Sequence, residues 1–114
     1  MNASTFTNKL KETPEQITFE ETMQVIEAEY TFTPTAFQNG DLYNEAGQNS
    51  GSCKLFAFAQ DQGYTVDETL QCFGDYYRID VLNDPNGTGH QNIRNFMQYG
   101  WEGIRFESQA IAKG

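Results

Sequence analysis

Apolar residues recur at three- or four-residue spacing at five places along the chain, which predicts a mainly helical protein. Phe6 and Leu10 stand four apart behind Ser4 or Thr5 as a cap, giving a short helix that ends before Pro14. Thr18 and Glu21 form a capping box ahead of Phe19, Met23, Ile26 and Tyr30. Residues 18–30 therefore read as an amphipathic helix, with Glu20, Glu27 and Glu29 on its solvated face. Cys53, Phe56 and Ala57 belong to a helix capped by Ser50 or Ser52 and stopped by Gly63 at C′. Thr65 and Glu68 make a second capping box before Val66, Leu70 and Phe73. Gly74 ends or bends that helix, and Tyr77, Val81 and Leu82 continue a helical pattern towards Asn83. The last helix covers 90–99, with Ile93, Phe96 and Met97 inward and Gly100 as its stop.

Extended structure is sparse. Residues 31–36 read as extended, with Pro34 excluding helix. Asn39-Gly40, between Phe37 and the pair Leu42 and Tyr43, is a hairpin dipeptide. Asp84-Pro85-Asn86-Gly87 is a turn by composition, and Ile104 and Phe106 alternate as a strand does. Residues 38–52 form a polar, irregular stretch that delivers Cys53 to the start of a helix, and loops of that length are usually functional or mobile. The expected architecture is a compact single domain over 1–114, mainly α and α+β at most. It has about five helices with a small hairpin or two short strands, and residues 1–16 hold the short first helix.

Composition adds a ring-rich core: 38% of residues are hydrophobic, and there are nine Phe, six Tyr and one Trp. The formal net charge of −9 argues against a nucleic-acid partner and against an anionic membrane surface. No run of 18 apolar residues exists and residues 1–16 hold no apolar signal core, so a cytoplasmic location is expected. The Asn/Ser/Thr-rich opening (Asn2, Ser4, Thr5, Thr7, Asn8) would also suit a type III export signal. The two cysteines are expected as free thiols, and a monomer without cofactor as the working form.

Two kinds of candidate chemistry follow. A thiol at a helix N-terminus beside Lys54 has the conditions for a lowered pKa, which makes Cys53 a candidate nucleophile. His90, the single histidine, would be its base, with Asp75 or Asn92 to orient it. The plainer alternative is a buried structural thiol and a hydrogen-bonded histidine. Cys53 and Cys72 flank the Gly63 turn at matching distances, but with His90 and Asp75 they fit no zinc spacing, so no metal is expected. Asp41, Asn44, Glu45 and Asn49 offer oxygens outside any calcium-loop register, and their amides suit bonding to the loop's own backbone. Asn39, Asn44, Glu45, Asn49, Asn92, Arg94 and Trp101 are the loop and surface candidates for binding a partner. Tyr76, Tyr77, Arg78, Tyr99 and Arg105 add the residue types that commonly anchor interfaces.

Four runs are distinctive in combination: Pro34-Thr35-Ala36-Phe37-Gln38-Asn39-Gly40; Asn44-Glu45-Ala46-Gly47-Gln48-Asn49-Ser50-Gly51-Ser52-Cys53-Lys54; Thr69-Leu70-Gln71-Cys72-Phe73-Gly74-Asp75-Tyr76-Tyr77-Arg78; and Gly89-His90-Gln91-Asn92-Ile93-Arg94-Asn95-Phe96-Met97. With Tyr99-Gly100-Trp101 they resemble the HopJ family of bacterial type III effector proteins, over about residues 19–107. The resemblance implies a bacterial origin and a type III export route, and brings no catalytic residues with it. Three readings stand. The first is an effector-related domain that binds a protein without catalysis. The second is a thiol-dependent hydrolase or transferase using Cys53 and His90. The third is a bacterial cytoplasmic protein with no effector role.

Overall fold

The computed structural model describes residues 2–113; Met1 and Gly114, the ends of the expected domain, lie outside the described residues. Helix α1 (Ala3–Glu12) begins one cap earlier than expected, because Asn2 accepts the Thr5 N–H at 2.8 Å and so replaces Ser4 or Thr5 in that role. It buries Phe6 and Leu10. A short 3-10 turn (Pro14–Gln16) leads to α2 (Phe19–Glu29), capped by the Thr18 hydroxyl on Glu21 N–H. Helix α3 (Ser50–Gln62) ends at Gly63 in the left-handed region, where Tyr64 N–H reaches Ala59 O in a Schellman closure. Helix α4 (Val66–Gln71) carries the complete Thr65/Glu68 capping box, and α5 (Gln91–Tyr99) stops at Gly100.

Among the described residues, five strands of three residues each complete the fold. Strands β2 (Phe37–Asn39) and β3 (Leu42–Asn44) form the hairpin, and β4 (Ile104–Phe106) pairs antiparallel with the other edge of β2. Strands β1 (Tyr30–Phe32) and β5 (Ile111–Lys113) make a separate antiparallel ribbon. The molecule is mainly α with a small antiparallel component, as the periodicity predicts.

Three local expectations are corrected. The hairpin turn is centred on Gly40-Asp41, because Asn39 pairs with Leu42 as the last strand residue. Gly40 has φ 64°, and a Cβ there would lie 2.0 Å from the Tyr99 ring, so only glycine fits the turn at this point. Residues 38–52 are not an irregular loop: they divide into the hairpin, the turn 45–48 and the first residues of α3. Met97 does not face inward; it is exposed, and Asn92 and Asn95 join Ile93 and Phe96 on the buried side of α5.

After Gly74 the chain continues as a π-helix (Tyr76–Val81) instead of resuming an α-helix. Arg78 reaches back from it to the carbonyls of Pro14 (3.0 Å), Gln71 (3.1 Å) and Ile17, so its cation is used inside the fold.

Helix α3 is the centre of the core. Leu55, Phe56, Ala57, Phe58 and Ala59 are all buried, so this helix is covered on every side and shows no narrow stripe. Phe56 packs against Phe37, Phe73, Phe96 and Trp101 with ring centroids 4.9–6.5 Å apart. Phe58 meets Phe6, Tyr30 and Tyr64 edge-on.

Candidate functional site

The hairpin turns its amides inward, onto α5. Asn44 and Asn92 exchange a reciprocal pair of bonds: Asn44 Nδ2 donates to Asn92 Oδ1 at 3.1 Å and Asn92 Nδ2 to Asn44 Oδ1 at 3.0 Å. Asn39 Nδ2 donates to both Asn92 O (2.8 Å) and Asn92 Oδ1 (3.0 Å), and Asn49 Nδ2 donates to Asn44 Oδ1 (2.7 Å). Asn95 Nδ2 binds Asn39 O and Asp41 Oδ1 at 2.9 and 2.8 Å. Asn39, Asn44 and Asn92 are buried, and Asn39 Oδ1 accepts no hydrogen bond among the described residues. Such a network is costly to leave half-made, so it locks hairpin and helix in one register.

Beside this network lies a cleft of about 560 Å³ where the starts of α2, α3 and α5 meet the π-helix. Phe19, Phe73 and Tyr76 supply aromatic surface, while Asn49, Ser52, His90 and Asn92 supply polar groups. Three sequence candidates, Asn49, His90 and Asn92, thus come together here. Asn49 (φ 50°) and His90 (φ 55°) are also the only two non-glycine residues in the left-handed region among the described residues. Each conformation costs about 1 kcal/mol and is held by the surrounding packing. Their positive φ has no plain sequence signal beyond the tolerance of Asn and His for that region.

The candidate catalytic residues are arranged otherwise than the thiol reading requires. Helix α3 starts at Ser50, so Cys53 lies past its first residues and its N–H is already bonded to Asn49 O at 3.0 Å. The thiol is buried, its Sγ 3.8 Å from Thr35 O, and burial pushes its pKa up, the reverse of the lowering expected at a helix start. Cys53 is not among the residues lining the cleft. His90 Nε2 meets Asp80 Oδ2 at 3.1 Å, so Asp80 stands where Asp75 was expected, and its ring packs on Tyr76 with centroids 5.2 Å apart. Asp75 is exposed in a neighbouring depression with Thr18, Glu20 and Tyr76. Cys72 is also buried, with its thiol pushed well up by desolvation, and both cysteines are free. Among the described residues no group of three or more His, Cys, Asp or Glu could hold a metal ion.

The remaining candidates have structural partners. Arg94 pins the turn before α5 through Gly89 O (2.5 Å) and Asp84 O (2.8 Å). Trp101 Nε1 donates to Tyr64 O at 2.9 Å. Glu45 is exposed at the turn after β3, where its N–H bonds Gln48 Oε1 at 2.9 Å. No helix among the described residues is long and apolar enough to cross a membrane.

No curated protein sequence matches the chain. A crystal structure of a protein of unknown function, VPA0580, shares 51% identity and a TM-score of 0.98, over 100% of this chain and 95% of that one. The family model described as HopJ type III effector protein matches residues 3–111, which takes in the hairpin, the asparagine network and the cleft; the chain belongs to the HopJ family.

Proposed function

We propose that this chain is a type III effector-like protein that acts by binding another protein through the cleft between α2, α3 and α5, without thiol catalysis. It resides in the cytoplasm of the producing bacterium and is passed by a type III system to a host cell. The observation that carries the binding reading is the pair Asn49 and His90, both left-handed and both on the rim of one aromatic-walled cleft. Backbone strain of this kind collects at recognition sites, where packing elsewhere compensates for it. Asn49 presents a donor and an acceptor at the rim, and the rings of Phe19 and Tyr76 offer apolar surface, a combination that takes up a partner loop bearing amide or aromatic side chains. The buried, hydrogen-bonded state of Cys53 counts against the thiol-enzyme alternative.

The test places a photo-cross-linking residue at position 76 and, as a control, at position 43 on the exposed face of the hairpin. A discrete protein adduct from 76, lost when Ser52→Trp fills the cleft and absent from 43, is the expected result. Equal adducts from both positions, or one indifferent to Ser52→Trp, reject the cleft. Delivery is tested by replacing the opening residues 1–20 in a type III-competent strain. Undiminished export rejects the N-terminal signal.

A further inference from the structure

Asn-Gly occurs twice in the chain, at Asn39-Gly40 and at Asn86-Gly87, and the fold treats the two pairs differently. Glycine has no Cβ, so the N–H that follows the asparagine is poorly shielded from the asparagine's own side-chain carbonyl. Asn39 is fully buried, and its amide is held by Asn92 O and Asn92 Oδ1. Gly40 N–H is bonded to Gly103 O at 3.0 Å, and the Tyr99 ring fills the space beside it. Neither member of this pair can turn towards the other without breaking the network on α5.

Asn86 has the opposite surroundings. It is exposed in the turn between the π-helix and α5, and its side chain makes no hydrogen bond among the described residues. The turn is closed by Gly87 N–H on Asp84 O at 3.0 Å, a surface bond of the kind that opens at little cost. We infer that Asn86 is a site of spontaneous modification by water, converted to aspartate and isoaspartate while Asn39 is preserved. Once the turn bond opens, Gly87 N gives its proton to solvent base and attacks Asn86 Cγ. The N–Cγ bond forms, the Cγ–Nδ2 bond breaks, and the side-chain nitrogen leaves as ammonia with a proton from water. Water then opens the cyclic imide at either carbonyl, giving aspartate or isoaspartate, so the net exchange is one water taken up for one ammonia released. Either product adds a negative charge to a turn that already holds Asp84, and isoaspartate also lengthens the main chain by a methylene. Even a Cβ on Gly87 would lie 2.1 Å from Asp84 Oδ2 and 2.9 Å from Arg94 Nη2. The longer backbone therefore displaces the Asp84 and Arg94 contacts that hold the start of α5. The site is separate from the cleft and does not depend on the reading given to it.

The test incubates the full folded chain in mildly alkaline buffer made with heavy-oxygen water, then digests it and reads both Asn-Gly peptides by mass spectrometry. In the folded chain Asn86 converts at least about tenfold faster than Asn39, and heavy oxygen enters the Asn86 peptide. In urea the two sites convert at similar rates, because nothing then protects Asn39. Asn86→Gln, at an exposed position without a side-chain bond, removes the label from its peptide and leaves the Asn39 rate unchanged. Failure of Asn86 to convert in the folded chain over a time that converts it in urea overturns the proposal. So do equal rates at the two sites in the folded chain, or ammonia release from it that Asn86→Gln does not reduce.

Discussion

Asn92 sits at the start of α5 with its amide turned into the protein, and the side chains of Asn39 and Asn44 both bond to it. Replacing it with alanine removes the acceptor of two buried N–H groups and the donor to Asn44 Oδ1. Asn92→Ala is expected to cost about 2–3 kcal/mol in urea unfolding, whereas Asn49→Ala, at an exposed position with one bond, costs about 1 kcal/mol or less. Cys53 provides the second test at this scale. Its thiol, buried and pushed up in pKa, should react with iodoacetamide at neutral pH far more slowly in the native chain than in the urea-unfolded one. A native rate equal to the unfolded rate would show the thiol open to solvent. The residue types at these positions were readable from the sequence, but their directions were not. Asn39 and Asn92 are 53 positions apart, and only tertiary pairing decides that amides of loop-like composition point inward. Cys53 misleads for a related reason: its place near a helix start suggests activation, and its burial in the core reverses the shift.

The helix ends were legible because their signals are local. Thr18, Thr65, Gly63 and Gly100 each act on backbone groups within five residues. The π-helix was hidden because its side-chain spacing resembles an α-helix closely enough for Tyr77 and Val81 to fit both. Strand β5 was hidden because Ile111-Ala112-Lys113 shows no apolar–polar alternation, unlike Ile104 and Phe106 in β4. Gly74 decides where α4 gives way to the π-helix. It has φ 64°, and a Cβ there would lie 2.8 Å from Phe19 N and 3.1 Å from Thr18 Cα, both backbone atoms that cannot yield cheaply. Gly74→Ala should therefore destabilise by about 2–4 kcal/mol, adding a clash to the conformational strain. Gly47 is the comparison, with φ 88° and nothing within 4 Å. Gly47→Ala should cost only the strain, about 1 kcal/mol. Equal denaturation midpoints for the two variants would reject close packing of the Gly74 turn against α2.

At the scale of the whole molecule, the ring-rich composition did foretell the core, in which Phe6, Phe37, Phe56, Phe58 and Phe96 are fully buried. Burial also makes the molecule sensitive to base. Tyr30 is pushed up to about 12, first by desolvation and then by its bond to Asp61, and Tyr64 to about 12 chiefly by desolvation. The thiols of Cys53 and Cys72 are raised as well. In the unfolded chain these groups ionise near their ordinary values of 9.0 and 10.0, so above those values the folded state holds more protons. Stability should then be unaffected by these groups up to about pH 8 and fall steadily from about pH 9 towards 12. Urea midpoints across that range check it, and Tyr30→Phe should make the decline shallower. The β1–β5 ribbon has a further, mechanical consequence. Tyr30, where β1 leaves α2, lies opposite Lys113. Tension applied at residue 113 and through α2 therefore meets at one end of an antiparallel pair, and its hydrogen bonds come under load one after another. Loaded in that way, the ribbon unzips one pair at a time instead of resisting in shear.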